Sequence, residues 1–436
     1  MIKAVCFKEN FGKLSSSALS KFHKKFIRFS LIVFFAVFIL PAAFADLYKP
    51  HRIFEIGFDS ELLFANSSFG LKDVMKKKLE IDLQQISSDI PKDGFKFNLN
   101  ERELFLINLN ASSRFRFGFY TGVESYSNLS ISKSLFDLLS DGLAVGESHT
   151  YDVSGCSDMF FDVGLSFQTI IMGYGVKFNP TFFVPLVYVP KTKANAKVSS
   201  SSDGLIRADA EANVDIYTAV DMHDFMEIKK TPENIDVSAG KLISNSGFDF
   251  SMEIERNWLH GLNAGLYARI PVVSGKLKHK MSTRVWAYFY ETNAFGYLND
   301  TEEHKKDHGR DDFTYSSANY AVHRPLKLGL NASYTPFGEW FKIQPAIGIA
   351  VRNPYTSDAI FYPEYALDFR FAFLWQIFNF NVGTAYQNQI FQQRFGFALN
   401  LRAVEIITQA SLCGTNLKSC FSRYGYGALV GLRIGF

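Results

Sequence analysis

The last thirteen residues, 424–436, alternate strictly. Tyr426, Ala428, Val430, Leu432, Ile434 and Phe436 fall on one side; Gly425, Gly427, Leu429, Gly431, Arg433 and Gly435 fall on the other. Successive side chains of a strand point to opposite faces, so the segment is a strand with one apolar face and one small or polar face. Its length suits a strand crossing a bilayer at a tilt. The edge of a soluble sheet is the alternative.

The same period of two recurs along most of the chain. Phe54, Ile56, Phe58, Leu62 and Phe64 oppose Glu55, Asp59 and Glu61. Phe115, Phe117, Phe119 and Val123 oppose Arg114 and Arg116. Residues 158–168 oppose an apolar row to Asp158, Asp162 and Gln168, and 205–220 set Ala208, Ala210, Ala212, Val214 and Ile216 against Arg207, Asp209, Glu211 and Asp215. Alternation over so many segments is the primary strand signal. Charged rows opposite apolar rows suit a wall between lipid and a polar lumen, so Arg114, Arg116, Arg207, Asp209, Glu211 and Asp215 are candidate lumen-facing residues. A large soluble sandwich or β-helix would also alternate.

The amino end separates these readings. Lys21, Lys24, Lys25 and Arg28 precede an apolar run over 29–40, and Ala43-Phe44-Ala45 supplies small residues for cleavage. That is the pattern of a secretory signal peptide over 1–45, too short for a membrane-spanning helix. The leader holds seven of the 46 basic residues and one of the 43 acidic ones, leaving 46–436 at a net charge of −3. This balance gives no support to nucleic-acid binding. The 45 Phe residues are too many for a soluble interior but suit a lipid-facing exterior. In this context Gly431, Ile434 and Phe436 resemble the C-terminal insertion signal of bacterial outer-membrane barrels. The expected location is the bacterial outer membrane, with the lipid bilayer and the outer-membrane assembly machinery as partners.

The fold class expected is therefore an all-β membrane protein, an antiparallel transmembrane β-barrel of 14 or 16 strands. With both ends of the chain on the periplasmic side, the connections 336–339, 375–377 and 402–404 read as periplasmic turns. The stretches 291–320, 353–363, 388–392 and 413–423 read as external. By the same count 271–275 is periplasmic, and 221–246 becomes an unusually long periplasmic connection. Within 69–92, Leu71, Val74, Met75, Leu79, Leu83 and Ile86 recur at helical spacing before Pro91, an amphipathic helix expected to plug the lumen or cap its periplasmic mouth. Residues 132–140 hold a shorter helical candidate.

Little in the chain points to catalysis. Cys413 and Cys420 flank an external loop and form a candidate disulfide, with Cys156 left over. His304 and His308 lie in a charged tract that reads as a solvated loop rather than a metal site. There is no phosphate-binding loop and no Ser/His/Asp or paired-carboxylate signature, so neither an enzyme nor a cofactor is expected.

The stretches Ile53-Phe54-Glu55-Ile56-Gly57-Phe58, 264–271 and 324–338 resemble a family of spirochaetal outer-membrane proteins similar to long-chain fatty-acid transporters. The resemblance spans most of residues 46–436. It implies a barrel with an N-terminal plug that passes a hydrophobic small molecule, such as a long-chain fatty acid, without a nucleotide. The Asn-Pro-Ala motif of the well-studied transporters is missing, so no binding residue is carried over. A surface protein or adhesin presenting external loops, and a general porin, are the alternatives.

Overall fold

The structure, a computed structural model, describes residues 52–68, 83–112, 114–202, 206–222, 239–259, 261–291, 305–374, 376–422 and 425–436. The expected leader lies outside the described residues, as do Leu71, Val74, Met75 and Leu79 of the expected helix.

Among the described residues eighteen strands, β1 to β18, form one sheet, and 14 of them close into an antiparallel ring. The first five members are β1 (Phe54–Asn66), β2 (Phe95–Ser112), β3 (Phe115–Ile131), β4 (Ser148–Ile171) and β5 (Tyr174–Ser200). β6 (Ile206–Thr218) leaves the ring, and β7 (Gly247–Leu259) and β8 (Leu262–Val273) rejoin it. β9 (Gly275–Glu291), β10 (Lys305–Arg310) and β11 (Thr314–Val322) stand outside it with β6. β12 (Leu326–Tyr334) pairs directly with β8. From there β13 (Phe341–Arg352), β14 (Ile360–Phe373), β15 (Phe378–Gln387), β16 (Ile390–Asn400), β17 (Val404–Gly414) and β18 (Gly425–Gly435) continue the wall. β18 pairs with β1 from Glu55↔Gly435 to Ala65↔Gly425, which leaves the ring no free edge.

Alternation decides the two faces. Phe58, Leu62, Leu165, Leu330, Ile347 and Val430 are exposed on the outside. Their neighbours Asp59, Glu61, Lys327 and Arg433 point inward, where they are partly covered. An apolar exterior and a charged interior are the arrangement of a transmembrane barrel. One end of the ring carries tight connections at 172–173 and 401–403, and exposed Trp258, Phe337, Trp340, Phe373 and Phe436 gather near it. Short turns and an aromatic girdle mark the periplasmic end.

β4 and β5 run for 24 and 27 residues, against the ~10 residues a tilted membrane strand needs. Their outer portions therefore project beyond the ring. β6 pairs with that part of β5 from Ala194↔Ala212 to Ser200↔Ile206 and with β9 from Thr218↔His279 to Ile206↔Glu291. β9 carries β10 and β11. This external sheet corrects two expectations. The segment 205–220 alternates like a membrane strand but is not a member of the ring. The junction at 271–275 lies at the external end, because Leu262 rather than Val273 pairs beside Tyr334 near the periplasmic turn. The described ends of the connection before β7, 219–222 and 239–246, are then external too, which corrects the expected periplasmic loop.

Among the described residues there are four short helices: α1 (Leu83–Asp89), α2 (Lys133–Asp141), α3 (Ala239–Ser244) and α4 (Leu417–Phe421). All lie at the external end. α1 connects the outer ends of β1 and β2, so the described part of the expected N-terminal helix is not at the periplasmic mouth. Ser87 of α1 donates its hydroxyl hydrogen to the Asp137 carboxylate on α2, and the Phe95 and Phe136 rings lie 6.2 Å apart. The two helices thus pack as a pair on the rim.

Candidate functional site

The interior is crossed by a layer of charged side chains. Arg324, in the link before β12, is its hub. Its Nη2 lies 2.8 Å from Glu124 Oε2 and 2.8 Å from Asp162 Oδ2, and its Nη1 lies 3.0 Å from Asp249 Oδ2. Arg269 of β8 reaches Glu124 at 3.3 Å. Arg352, at the end of β13, donates to Asp158 of β4 and sets its guanidinium 3.6 Å over the Tyr126 ring. Lys327 donates to Glu364 at 2.7 Å and to Asn388 at 3.4 Å, and Asn388 donates to Asn100 of β2 at 3.1 Å.

The Arg352–Asp158 and Arg324–Glu124 contacts span the lumen rather than follow its wall. Four ring strands stand between Asp158 on β4 and Arg352 on β13, and four between Glu124 on β3 and Arg324 before β12. At ~4.8 Å per strand the path along the wall is about 24 Å, beyond the reach of two side chains. The charges therefore meet across the interior and form a septum. Its members are buried: Asp158, Asp162, Asp249, Arg324, Arg352 and Glu364 are all below a tenth exposed, and Asp249 is fully covered. Buried charges are costly unless paired and hydrogen-bonded, and here each carboxylate has a cation against it.

Beside the septum lies an apolar cluster. Phe160 and Phe183 pack edge to face at 5.7 Å, with Tyr188, Leu277 and Val322 buried around them. Tyr320 stacks on Tyr217 at 4.1 Å and on Tyr188 at 5.3 Å, which ties the external sheet to the ring. Toward the periplasm a second set of inner charges is also paired, with Arg52 buried. Arg433 pairs with Asp59, and Arg52 pairs with Glu55 at 2.9 Å and Glu405 at 3.4 Å.

The structure treats the sequence-derived candidates unequally. Arg116 faces the lumen, 3.7 Å from Glu55, whereas Arg114 lies in the periplasmic turn before β3. Arg207, Asp209, Glu211 and Asp215 do not line the lumen. They sit on the external sheet, where Arg207 pairs with Asp209 at 2.8 Å, Glu211 with Arg284 at 2.8 Å and Asp215 with Lys280 at 2.9 Å. Cys413 and Cys420 are both buried free thiols, so the candidate disulfide is not formed; the Cys420 thiol donates to the Leu412 carbonyl at 2.9 Å. Ile434 and Phe436 face outward, and Gly431 faces inward beside Asp59. Leu83 and Ile86 fall within α1. The septum residues Glu124, Asp249, Arg269, Arg324, Lys327, Arg352 and Glu364 were not singled out from the sequence. A charged residue on the inner face of each strand was the available signal, but it does not say which charges meet.

No protein-family model matches this chain, and no curated protein is similar to it in sequence. Among solved structures it is similar to the Pseudomonas putida toluene transporter TodX, at 9% identity over 90% of this chain and 91% of that one, with a TM-score of 0.42. It is also similar to the Ralstonia pickettii toluene transporter TbuX, at 8% identity over 90% and 91%, with a TM-score of 0.40. A third is the translocator domain of the autotransporter NalP from Neisseria meningitidis, at 7% identity over 89% and 90%, with a TM-score of 0.31. At these identities and scores the similarities say nothing about a cargo.

Proposed function

We propose that this chain is an outer-membrane transport barrel for hydrophobic small molecules, closed at rest. The observation that carries the reading is the septum of buried ion pairs with an apolar, aromatic cluster beside it. A general porin keeps a water-filled lumen, in which charged rows stay wet. Here the charges that cross the lumen are covered. Long-chain fatty acids are the finer proposal, supported by the resemblance of 53–58, 264–271 and 324–338 to fatty-acid-transporter-like proteins. The leader over 1–45 and delivery through the outer-membrane assembly machinery belong to the same reading. The barrel supplies passage and no chemistry, so the protein is read as a non-enzyme. The 69–92 segment is read as an external cap, from the packing of α1 on α2.

The test is to purify the barrel in detergent and identify co-purifying apolar molecules by mass spectrometry, then measure their uptake by cells with and without the protein. Bound fatty acids and protein-dependent uptake are expected. A barrel that carries none and changes no uptake would sink the transport reading. A surface-protein role is the second reading, favoured by the external sheet of β6 and β9–β11. It predicts saturable binding of a host ligand that is lost when that sheet is removed.

A further inference from the structure

Two of the guanidinium groups that cross the lumen hang from external links, while the third, Arg269, projects from within β8. Arg324 lies in the link 323–325 between β11 and β12, and Arg352 ends β13 just before the link 353–359. The two links touch: the His323 and Tyr355 rings meet edge to face with centroids 5.3 Å apart. Tyr355 is 68% exposed, so this contact is open to the outside. Asn353 and Tyr355 both hold positive φ, 50° and 67°, around the fully buried Pro354. Non-glycine residues pay about 1–2 kcal/mol each for that conformation, and such strain persists only where the surroundings hold it. On the other side, Tyr320, three residues before His323, is gripped by Tyr217 and Tyr188. The segment bearing the hub arginine is therefore fixed at the external sheet and again at Tyr355.

We infer that the septum is the permeation gate of this barrel and that the His323–Tyr355 contact is its external latch. While the rings are in contact, both links stay seated. Arg324 then holds Glu124, Asp162 and Asp249, and Arg352 holds Asp158. Displacing Tyr355 from outside frees the strained link after Arg352 and removes the neighbour of the Arg324 link. The opposed walls are then joined by charge only through Arg269 and Glu124, and water enters beside that pair. The device controls the lumen of the proposed transporter, and in that sense rests on the transport reading. An apolar molecule arriving from outside would open it by taking the place of the Tyr355 ring against His323.

Ion current through single barrels in planar bilayers tests this without any cargo. The unaltered protein should stay near a closed baseline. Arg324→Gln and Arg352→Gln should show stepwise conductance. Tyr355→Ala should show the same steps at intermediate frequency, and Phe361→Ala, an equally exposed ring on the next strand, should behave as the unaltered chain. Insertion of each variant is checked by its heat-dependent gel mobility. If Arg324→Gln does not insert, Arg324→Lys keeps the charge but loses the forked contact, and should leak less than Arg352→Gln. Arginine variants that insert and stay closed would overturn the gate. Arginine variants that open while Tyr355→Ala matches Phe361→Ala would overturn the latch. Failure of the protein to bind or take up apolar cargo would instead remove the transport reading and leave these currents unaffected.

Discussion

Arg433 grips Asp59 with both terminal nitrogens, at 2.6 and 2.7 Å, and so fastens the last strand of the ring to the first. Two glycines make room for it. A Cβ on Gly57, opposite Arg433, would lie 2.7 Å from its Cδ, and one on Gly431, opposite Asp59, would lie 2.6 Å from Oδ1. Gly431 thus has a packing role at the seam as well as a place in the insertion signal. Removing one partner of a forked charge pair leaves the other unmatched in a partly covered site. Arg433→Ala should cost about 1–3 kcal/mol. Gly431→Val should also destabilise, by pushing Asp59 out of the pair. The readout is the temperature at which the folded barrel loses its fast gel mobility. An unshifted transition in both variants would mean that the seam is held by its main-chain ladder alone.

The ring and the external sheet can be separated by placing a charge on each apolar face. Ile347 is 61% exposed near the middle of β13, on the outside of the ring. Ile347→Arg should cost about 2–4 kcal/mol, the penalty for a cation at the bilayer midplane. Val214 sits half-buried on β6, outside the ring, and Val214→Arg should cost less, about 1 kcal/mol, the size of a typical point change. Urea titration of folded barrels in lipid vesicles measures both. Equal costs would place β6 in the membrane and refute the division between ring and external sheet.

That division was hidden in the sequence for a physical reason. A strand in an external sheet with one apolar face alternates just as a membrane strand does, and 205–220 is the most regular example in the chain. Pattern reports which residues share a face but not what covers that face. The available clue was length, since the uninterrupted 24 and 27 residues of β4 and β5 exceed any bilayer crossing. By contrast, the outward faces of β1 and β18 and the turns near 336–339 and 402–404 were legible, because local alternation and turn length decide them. The septum was not. Asp158 and Arg352 are 194 residues apart, and only closure of the ring brings them together. Arg269 and Arg324 lie within the stretches that carry the family resemblance, but resemblance did not say what they hold.

The external sheet should respond to acid. Partial burial alone would raise the Asp215 carboxyl, but the Ser282 hydroxyl at 2.7 Å and the Lys280 ammonium at 2.9 Å outweigh it and hold it below its ordinary 3.8. A carboxyl depressed in the folded state stabilises above its ordinary value, and that contribution fades as pH falls through the folded one. Lys280 is raised, chiefly by its hydrogen bond to Asp215, so its share is intact below its ordinary 10.5 and lost only at higher pH. Amides of β6 and β9 should therefore keep their hydrogen-exchange protection from neutral pH down to the ordinary aspartate range and lose part of it below. Asp215→Asn should show the weakened protection already at neutral pH. Protection that is the same in both chains would assign the β6–β9 contact to its ladder and not to this pair.

Phe436 ties the chain end to β1. Its carbonyl accepts from the Ile53 and Phe54 N–H groups at 2.6 and 3.2 Å, its N–H donates to the Phe54 carbonyl at 3.1 Å, and its ring lies 5.8 Å from that of Phe54. Deleting it removes three closing hydrogen bonds and the terminal aromatic of the proposed insertion signal. The yield of folded barrel in the outer-membrane fraction should fall, with degradation in the periplasm. Normal yield of the shortened chain would argue that Gly431 and Ile434 are enough, or that insertion uses another segment.

The last prediction concerns the cap. α1 and α2 pack on each other at the external rim through Ser87, Asp137 and the neighbouring Phe95–Phe136 contact, while the layer centred on Arg324 and Arg352 lies inside the ring. If the septum is the barrier, the cap is not needed to hold the lumen shut. Deletion of 69–92 with a short flexible linker in its place should leave an inserted barrel with the current of the unaltered protein. The same deletion combined with Arg352→Gln should conduct as Arg352→Gln alone does. A deletion that opens the barrel while Arg324 and Arg352 are intact would make the N-terminal segment the plug, and the buried ion pairs would then hold the walls together without controlling passage.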